Sequence, residues 1–165
     1  MTTRYIGIDP GSKGAIASID SDNNVLKLCD LSKSYLDYWI LMQDWEDWEG
    51  RWDRTDAAVE DVCGRPGQSC QANTTFMKLA GMAELTGYCI SSDMTLVKPQ
   101  VWKKHFGLIF PKTMTKAEKK RKSVELAREL FPSVADQLLY SKDGRAEALL
   151  IARYLKDVQE NNGAN

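Results

Sequence analysis

Arg4-Tyr5-Ile6-Gly7-Ile8-Asp9-Pro10-Gly11-Ser12-Lys13-Gly14-Ala15-Ile16-Ala17-Ser18-Ile19 carries the strongest fold signal in the chain. Residues 4–9 are a short apolar run ending in an acid, Pro10-Gly11-Ser12 supplies turn chemistry, and residues 14–19 are a second strand-like run closed by the polar cluster at 20–24. This is a β-hairpin pattern. A third run at 25–29 extends it to an antiparallel meander.

Further along, the period changes. Residues 34–48 place Leu36, Trp39, Ile40 and Gln43 at helical spacing, with Ser34 as N-cap. Residues 56–62 predict a fourth strand and 64–71 a loop. Thr74 or Thr75 then caps a helix to about Thr86, with Phe76, Leu79, Ala80, Ala83 and Leu85 on one broad face and the small residues Ala80, Gly81 and Ala83 admitting close approach by another element. A fifth strand follows at 89–97. Pro99 opens a short helix to about Phe106, Thr115 caps a basic helix that stops before Pro132, and residues 143–159 form the last helix. Three hairpin-connected strands followed by alternating helices and strands predict an α/β fold: a mixed five-stranded sheet with helices on both faces. The 165 residues are read as one domain at 1–159 with a frayed tail at 160–165.

Composition narrows the classes. At 43% hydrophobic and 27% charged the chain is globular rather than disordered. No run approaches the roughly 18 apolar residues of a membrane helix, and residues 1–4 lead into a strand rather than the apolar stretch of a signal peptide, so a cytoplasmic protein without a membrane partner is expected. Cys29, Cys63, Cys70 and Cys89 lack Cys-x-x-Cys spacing and the single histidine, His105, is remote from them, which argues against a zinc site or disulfide framework. The net charge of −1 hides an asymmetry. Residues 37–61 carry nine acids against two arginines, and residues 98–128 carry ten Lys or Arg against Glu118 and Glu125. Such a basic pole either steers a polyanion to one face or is a solvated helix surface.

Four acids stand out. Asp9 ends an apolar strand beside a glycine-containing turn; it either caps the Asp-Pro-Gly turn or serves chemistry. In Val59-Glu60-Asp61-Val62, strand alternation puts Glu60 and Asp61 on opposite faces, so at least one is partly covered. Asp143 and Glu147 open the last helix at i, i+4, about 40° apart around its axis, where like charges repel and the helix N-terminus offsets only part of the cost. For Asp143 a favourable interaction with the helix dipole is the alternative reading. Phosphodiester cleavage at neutral pH needs an activated water and charge compensation at the leaving oxygen; two hard divalent ions about 4 Å apart supply both, and such ions select carboxylates.

Taken in order, Gly7-Ile8-Asp9-Pro10-Gly11, Val59-Glu60-Asp61-Val62, Lys98-Pro99-Gln100-Val101-Trp102-Lys103-Lys104 and Lys142-Asp143-Gly144-Arg145-Ala146-Glu147-Ala148-Leu149-Leu150-Ile151-Ala152 resemble the successive motifs of RuvC-type Holliday junction resolvases, nearest the divergent branch that includes bacteriophage enzymes. The resemblance spans about residues 4–155. It implies a ribonuclease H-like sheet and a homodimer that nicks symmetry-related strands of a four-way junction in DNA recombination, repair or phage DNA processing, with two Mg²⁺ or Mn²⁺ ions per site. By the same resemblance Asp9 bridges the ions, Glu60 holds one, and Glu147 with Asp143 holds the other. The last motif departs from the bacterial pattern of two aspartates separated by two residues: Gly144 fills the earlier position and the acid moves to Asp143. Lys98, Lys103, Lys104, Lys119, Lys120, Arg121 and Lys122 would contact DNA phosphates, with one lysine near the site stabilising charge at the scissile group. Trp102 either stacks on a base or packs in the core, the latter being commoner for an amphipathic helix. Residues 64–71 would probe the junction centre, and the helix at 75–86 is the expected dimer surface.

Three other readings compete. The actin and sugar-kinase ATPases share a strand, aspartate and glycine turn, but they pair two domains around the nucleotide and 165 residues leave no room for the second. A non-catalytic junction-binding protein on the same fold would be expected to have lost one of the four acids. A relaxed nuclease cutting flaps, forks and three-way branches is the nearest alternative, because dimer geometry and loops decide substrate shape.

Overall fold

A computed structural model describes residues 2–11, 13–46, 52–64 and 66–163. Five strands, β1 (Thr3–Asp9), β2 (Ala15–Ile19), β3 (Val25–Asp30), β4 (Arg54–Glu60) and β5 (Asp93–Val97), form one sheet in the order β3-β2-β1-β4-β5. The first three pair antiparallel, while β4 and β5 join parallel to β1 and to each other. The expected mixed five-stranded sheet is the observed one.

Helices cover both faces because the strands alternate into two cores. Ile6, Ile8, Ile16, Ala57 and Val59 pack with Trp45 of α1 (Tyr35–Glu46) and with Ala83 and Ile90 of α2 (Cys70–Ile90). On the other face Tyr5, Ala15, Ala17, Ala58 and Val97 pack with Trp102 of α3 (Pro99–His105), Val124 and Ala127 of α4 (Lys116–Leu130), and Leu149 and Ala152 of α5 (Gly144–Gly163). Gly7 makes this second packing possible. A Cβ there would lie 2.1 Å from the Ala148 carbonyl oxygen and 2.3 Å from the Ala152 nitrogen, so only glycine lets α5 lie directly on β1. Arg145 ties the start of α5 to β3 through Asp30, at 2.6 Å.

Several boundaries differ from the sequence reading. The helix expected from Thr74 or Thr75 to Thr86 begins at Cys70, because Ser69 accepts from the Ala72 N–H and caps it, and it runs on to Ile90. Residues 89–90, expected in strand, therefore lie in α2, and β5 starts at Asp93. Ala80 and Ala83 are buried within the protein's own fold rather than offered to a partner, while Leu85, expected on the buried face, is exposed. On α1, Leu36, Trp39 and Ile40 are exposed and Tyr38 and Trp45 face inward. The end expected for α1 near Trp48 lies outside the described residues. β4 spans 54–60 rather than 56–62, and α5 continues as helix to Gly163, through most of the tail expected to fray. Thr115 caps α4 as expected, with a reciprocal hydrogen bond from its backbone N–H to Glu118. Among the described residues, no helix is long and apolar enough to cross a membrane.

Candidate active site

The register of β1 and β4 pairs Gly7 with Ala58 and Ile8 with Val59, so Asp9 and Glu60 are the next residues on adjacent parallel strands. Alternation puts Asp9 on the face of Gly7 and Glu60 on the face of Ala58, the face covered by α5. Glu147 immediately precedes Ala148, the residue pressed onto Gly7, and the same close packing brings its carboxylate to the strand ends. The outcome is that one oxygen each of Asp9, Glu60 and Glu147 lies within 4.8 Å of the others. Asp61, which alternation could not separate from Glu60, falls beyond the strand and donates its N–H to the Val97 carbonyl.

Asp143 does not join the three. Its carboxylate accepts from the Lys120 ammonium at 2.7 and 2.8 Å, an ion pair between the loop before α5 and α4. The structure also accounts for the glycine at 144. A Cβ there would stand 2.0 Å from the Lys13 carbonyl oxygen, so the packing of α5 on the hairpin turn leaves no space for a side chain at that position.

The two neighbouring carboxylates bear on Asp9. Loss of surrounding water, then the charges of Glu147 and Glu60, push the Asp9 carboxyl well above the usual aspartate range, opposed by a hydrogen bond from the Gly11 N–H at 3.1 Å. Lys103 is the compensating cation: its ammonium is 3.1 Å from Glu147. Burial works against this ammonium, but Glu147 and Glu60 outweigh it and the Lys103 pKa is raised. A trio of hard oxygen donors that resist sharing negative charge is a donor set suited to a divalent cation.

The trio lies in a groove of about 1390 Å³. Lys13, Lys98, Lys103, Lys116, Lys119 and Lys120 line it, with Gln68, Gln71, Thr75 and Phe76 also contributing. Of the seven expected DNA contacts, Lys98, Lys103, Lys119 and Lys120 line the groove; Lys104, Arg121 and Lys122 do not. Arg121 and Lys122 instead pair with Glu125 at 3.0 and 2.9 Å. Lys13 and Lys116 line the groove as well, and their only signal in the sequence is position: one in the hairpin turn, the other at the start of the basic helix. Gln68 and Gln71 place the expected junction-probing segment at the groove. Trp102 is fully buried, as core packing predicts, and its indole also donates to Glu60 Oε1 at 3.0 Å.

No family model and no curated protein sequence matches the chain. Among solved structures it is similar to T. thermophilus RuvC in complex with a Holliday junction substrate, with 13% sequence identity and a TM-score of 0.59 over 97% of this chain and 96% of that one. A likeness spanning nearly the whole of both chains, together with the strand order β3-β2-β1-β4-β5, gives this protein a RuvC-like, ribonuclease H-like fold.

Proposed function

We propose that this chain is a divalent-metal-dependent endodeoxyribonuclease that resolves four-way DNA junctions by paired symmetric nicks. The observation that carries the reading is the convergence of Asp9, Glu60 and Glu147 within 4.8 Å in a lysine-lined groove. RuvC, which shares the fold, was solved in complex with a Holliday junction, and that supports branched DNA as the substrate class.

Asp9, Glu60 and Glu147 would hold Mg²⁺ or Mn²⁺, two ions per site when Asp143 contributes. Bound there, the ions supply an activated water and charge compensation at the leaving oxygen. The protein does the rest. Lys98 and Lys119 bind backbone phosphates along the groove, and Lys103 offers positive charge beside the reacting group. Lys120, paired with Asp143 in the DNA-free chain, exchanges that partner for a phosphate and releases Asp143 to the site. Two such sites on a homodimer would cut opposed strands. The outward stripe Met77, Gly81, Leu85 and Tyr88 of α2 supports the dimer: its three large side chains are 43%, 56% and 63% exposed, and a Cβ at Gly81 would meet nothing within 4 Å, which leaves room for a second backbone. The relevant setting is recombination, repair or phage DNA processing in a bacterial cytoplasm.

Incubating an end-labelled four-way junction with the native chain and with Glu147→Gln in Mg²⁺ or Mn²⁺ tests the chemistry. Cleavage by the native chain alone is expected; undiminished cleavage by the variant would remove Glu147 from the site and the reading with it.

A further inference from the structure

We propose that Trp102 is a positioning residue of the carboxylate centre, its indole N–H fixing the Glu60 carboxylate in the orientation that receives a cation. The inference rests on reading Asp9, Glu60 and Glu147 as a metal site.

Trp102 has no exposed surface, and a buried indole N–H needs an acceptor. The acceptor it finds is a side-chain carboxylate 42 residues away in sequence, at 3.0 Å, rather than a backbone carbonyl. Glu60 is itself only 8% exposed, so water does little to hold its carboxylate in one orientation. Glutamate has three side-chain torsions, and its usefulness as a ligand depends on where its carboxylate plane points. A donor anchored in the core constrains that plane. Trp102 belongs to the buried cluster that also holds Val97, Leu108 and Val124, so the core rather than the carboxylate fixes where its N–H points.

The neighbouring residue sharpens the contrast. Lys103 reaches Glu147 at 3.1 Å, and its ammonium stands 4.8 Å from the centre of the Trp102 ring. Consecutive residues of α3 thus address two of the three carboxylates by different means. Lys103 brings a full positive charge, which competes with any cation for Glu147. Trp102 brings a neutral donor, which orients Glu60 without competing for charge. Pro99 in the first turn of α3 and the buried ring keep this short helix in place.

Isothermal titration of Mn²⁺ into the native chain, Trp102→Phe and Ile90→Ala tests the assignment. Phe keeps an aromatic ring in the core and removes the donor; Ile90→Ala weakens the core on the opposite face of the sheet. Trp102→Phe is expected to weaken Mn²⁺ binding about tenfold or more, while Ile90→Ala lowers the melting temperature and leaves the affinity unchanged. Native binding matched by Trp102→Phe, or equal weakening in Ile90→Ala, overturns this inference alone. A native chain that binds no Mn²⁺ overturns the metal reading and the inference together. Should Trp102→Phe fail to fold, the ¹⁵N-indole signals of the native protein decide, assigned by replacing the other four tryptophans in turn with Phe. The Trp102 signal is expected to shift on addition of Mg²⁺, and an unmoved signal overturns the proposal.

Discussion

Replacing Asp9 with Asn will stabilise the metal-free protein while removing its capacity for divalent cations. One oxygen of each carboxylate in the trio lies within 4.8 Å of the others, and at that separation and an effective dielectric constant of 20 a pair of full charges would repel by about 3.5 kcal/mol. The Lys103 ammonium at Glu147 and water in the groove reduce what Asn recovers to about 2 kcal/mol at pH 7.5. For a chain of this size that corresponds to a rise in Tm of about 4–8 °C in EDTA. Asn retains an oxygen for the Gly11 N–H, so the turn is preserved. The pH dependence has a definite sign. The Asp9 pKa is raised above its ordinary 3.8, so between that value and its folded pKa the native state holds more protons than the unfolded chain. Native stability is therefore greatest below the ordinary value and is lost as pH rises through the folded pKa, a slope that Asp9→Asn removes. Thermal melts in EDTA and in MnCl₂ measure both effects: the native chain gains Tm from Mn²⁺ and the variant does not. A variant that melts no higher than native in EDTA, yet still gains from Mn²⁺, would refute the electrostatic account of the trio.

Lys120→Met frees Asp143 from its ion pair and should tighten Mn²⁺ binding in the absence of DNA by about twofold to fivefold, read by calorimetry; unchanged or weaker binding would mean that Asp143 contributes nothing to the site. Lys98→Ala and Lys119→Ala should each lower the salt slope of junction binding in EDTA by about 1, whereas Lys104→Ala and Lys122→Ala, outside the groove, should leave it unchanged in a fluorescence titration at graded NaCl. Gly144→Asp, which restores an acid at the position of the bacterial pattern, forces its Cβ onto the Lys13 carbonyl oxygen and should cost about 2–3 kcal/mol, measured by urea denaturation; a variant as stable as native would show that the turn yields freely.

The hairpin was legible because Pro10 and Gly11 interrupt two apolar runs, and Asp9 was legible as a charge at the end of one of them. Glu60 and Asp61 were harder. Alternation says that adjacent residues face opposite ways but not which face carries the site, and that depends on the pairing of Gly7 with Ala58, which only the sheet register supplies. The start of α2 was missed because Gly64 to Gln71 has loop composition, although Ser69 is a good cap; the apolar end of α2 passed for strand because Ile90 is buried in either state. Arg121 and Lys122 looked equivalent to Lys119 and Lys120 in a basic run, yet the helix turns them toward Glu125. The bonds from Trp102 to Glu60 and from Lys120 to Asp143 join residues 42 and 23 positions apart, and no local period encodes either.

Mapping the nicks on end-labelled four-way, three-way, flap and linear duplex DNA in Mg²⁺, with native chain and Asp9→Asn side by side, tests junction resolution most directly. Paired cuts at symmetry-related positions of the four-way junction are expected, with far less cutting of the other substrates and none by the variant. Equal cutting of every branched substrate would contradict junction selectivity and make the chain a general branch nuclease; no cutting of any substrate by the native chain in Mg²⁺ or Mn²⁺ would contradict the nuclease assignment itself.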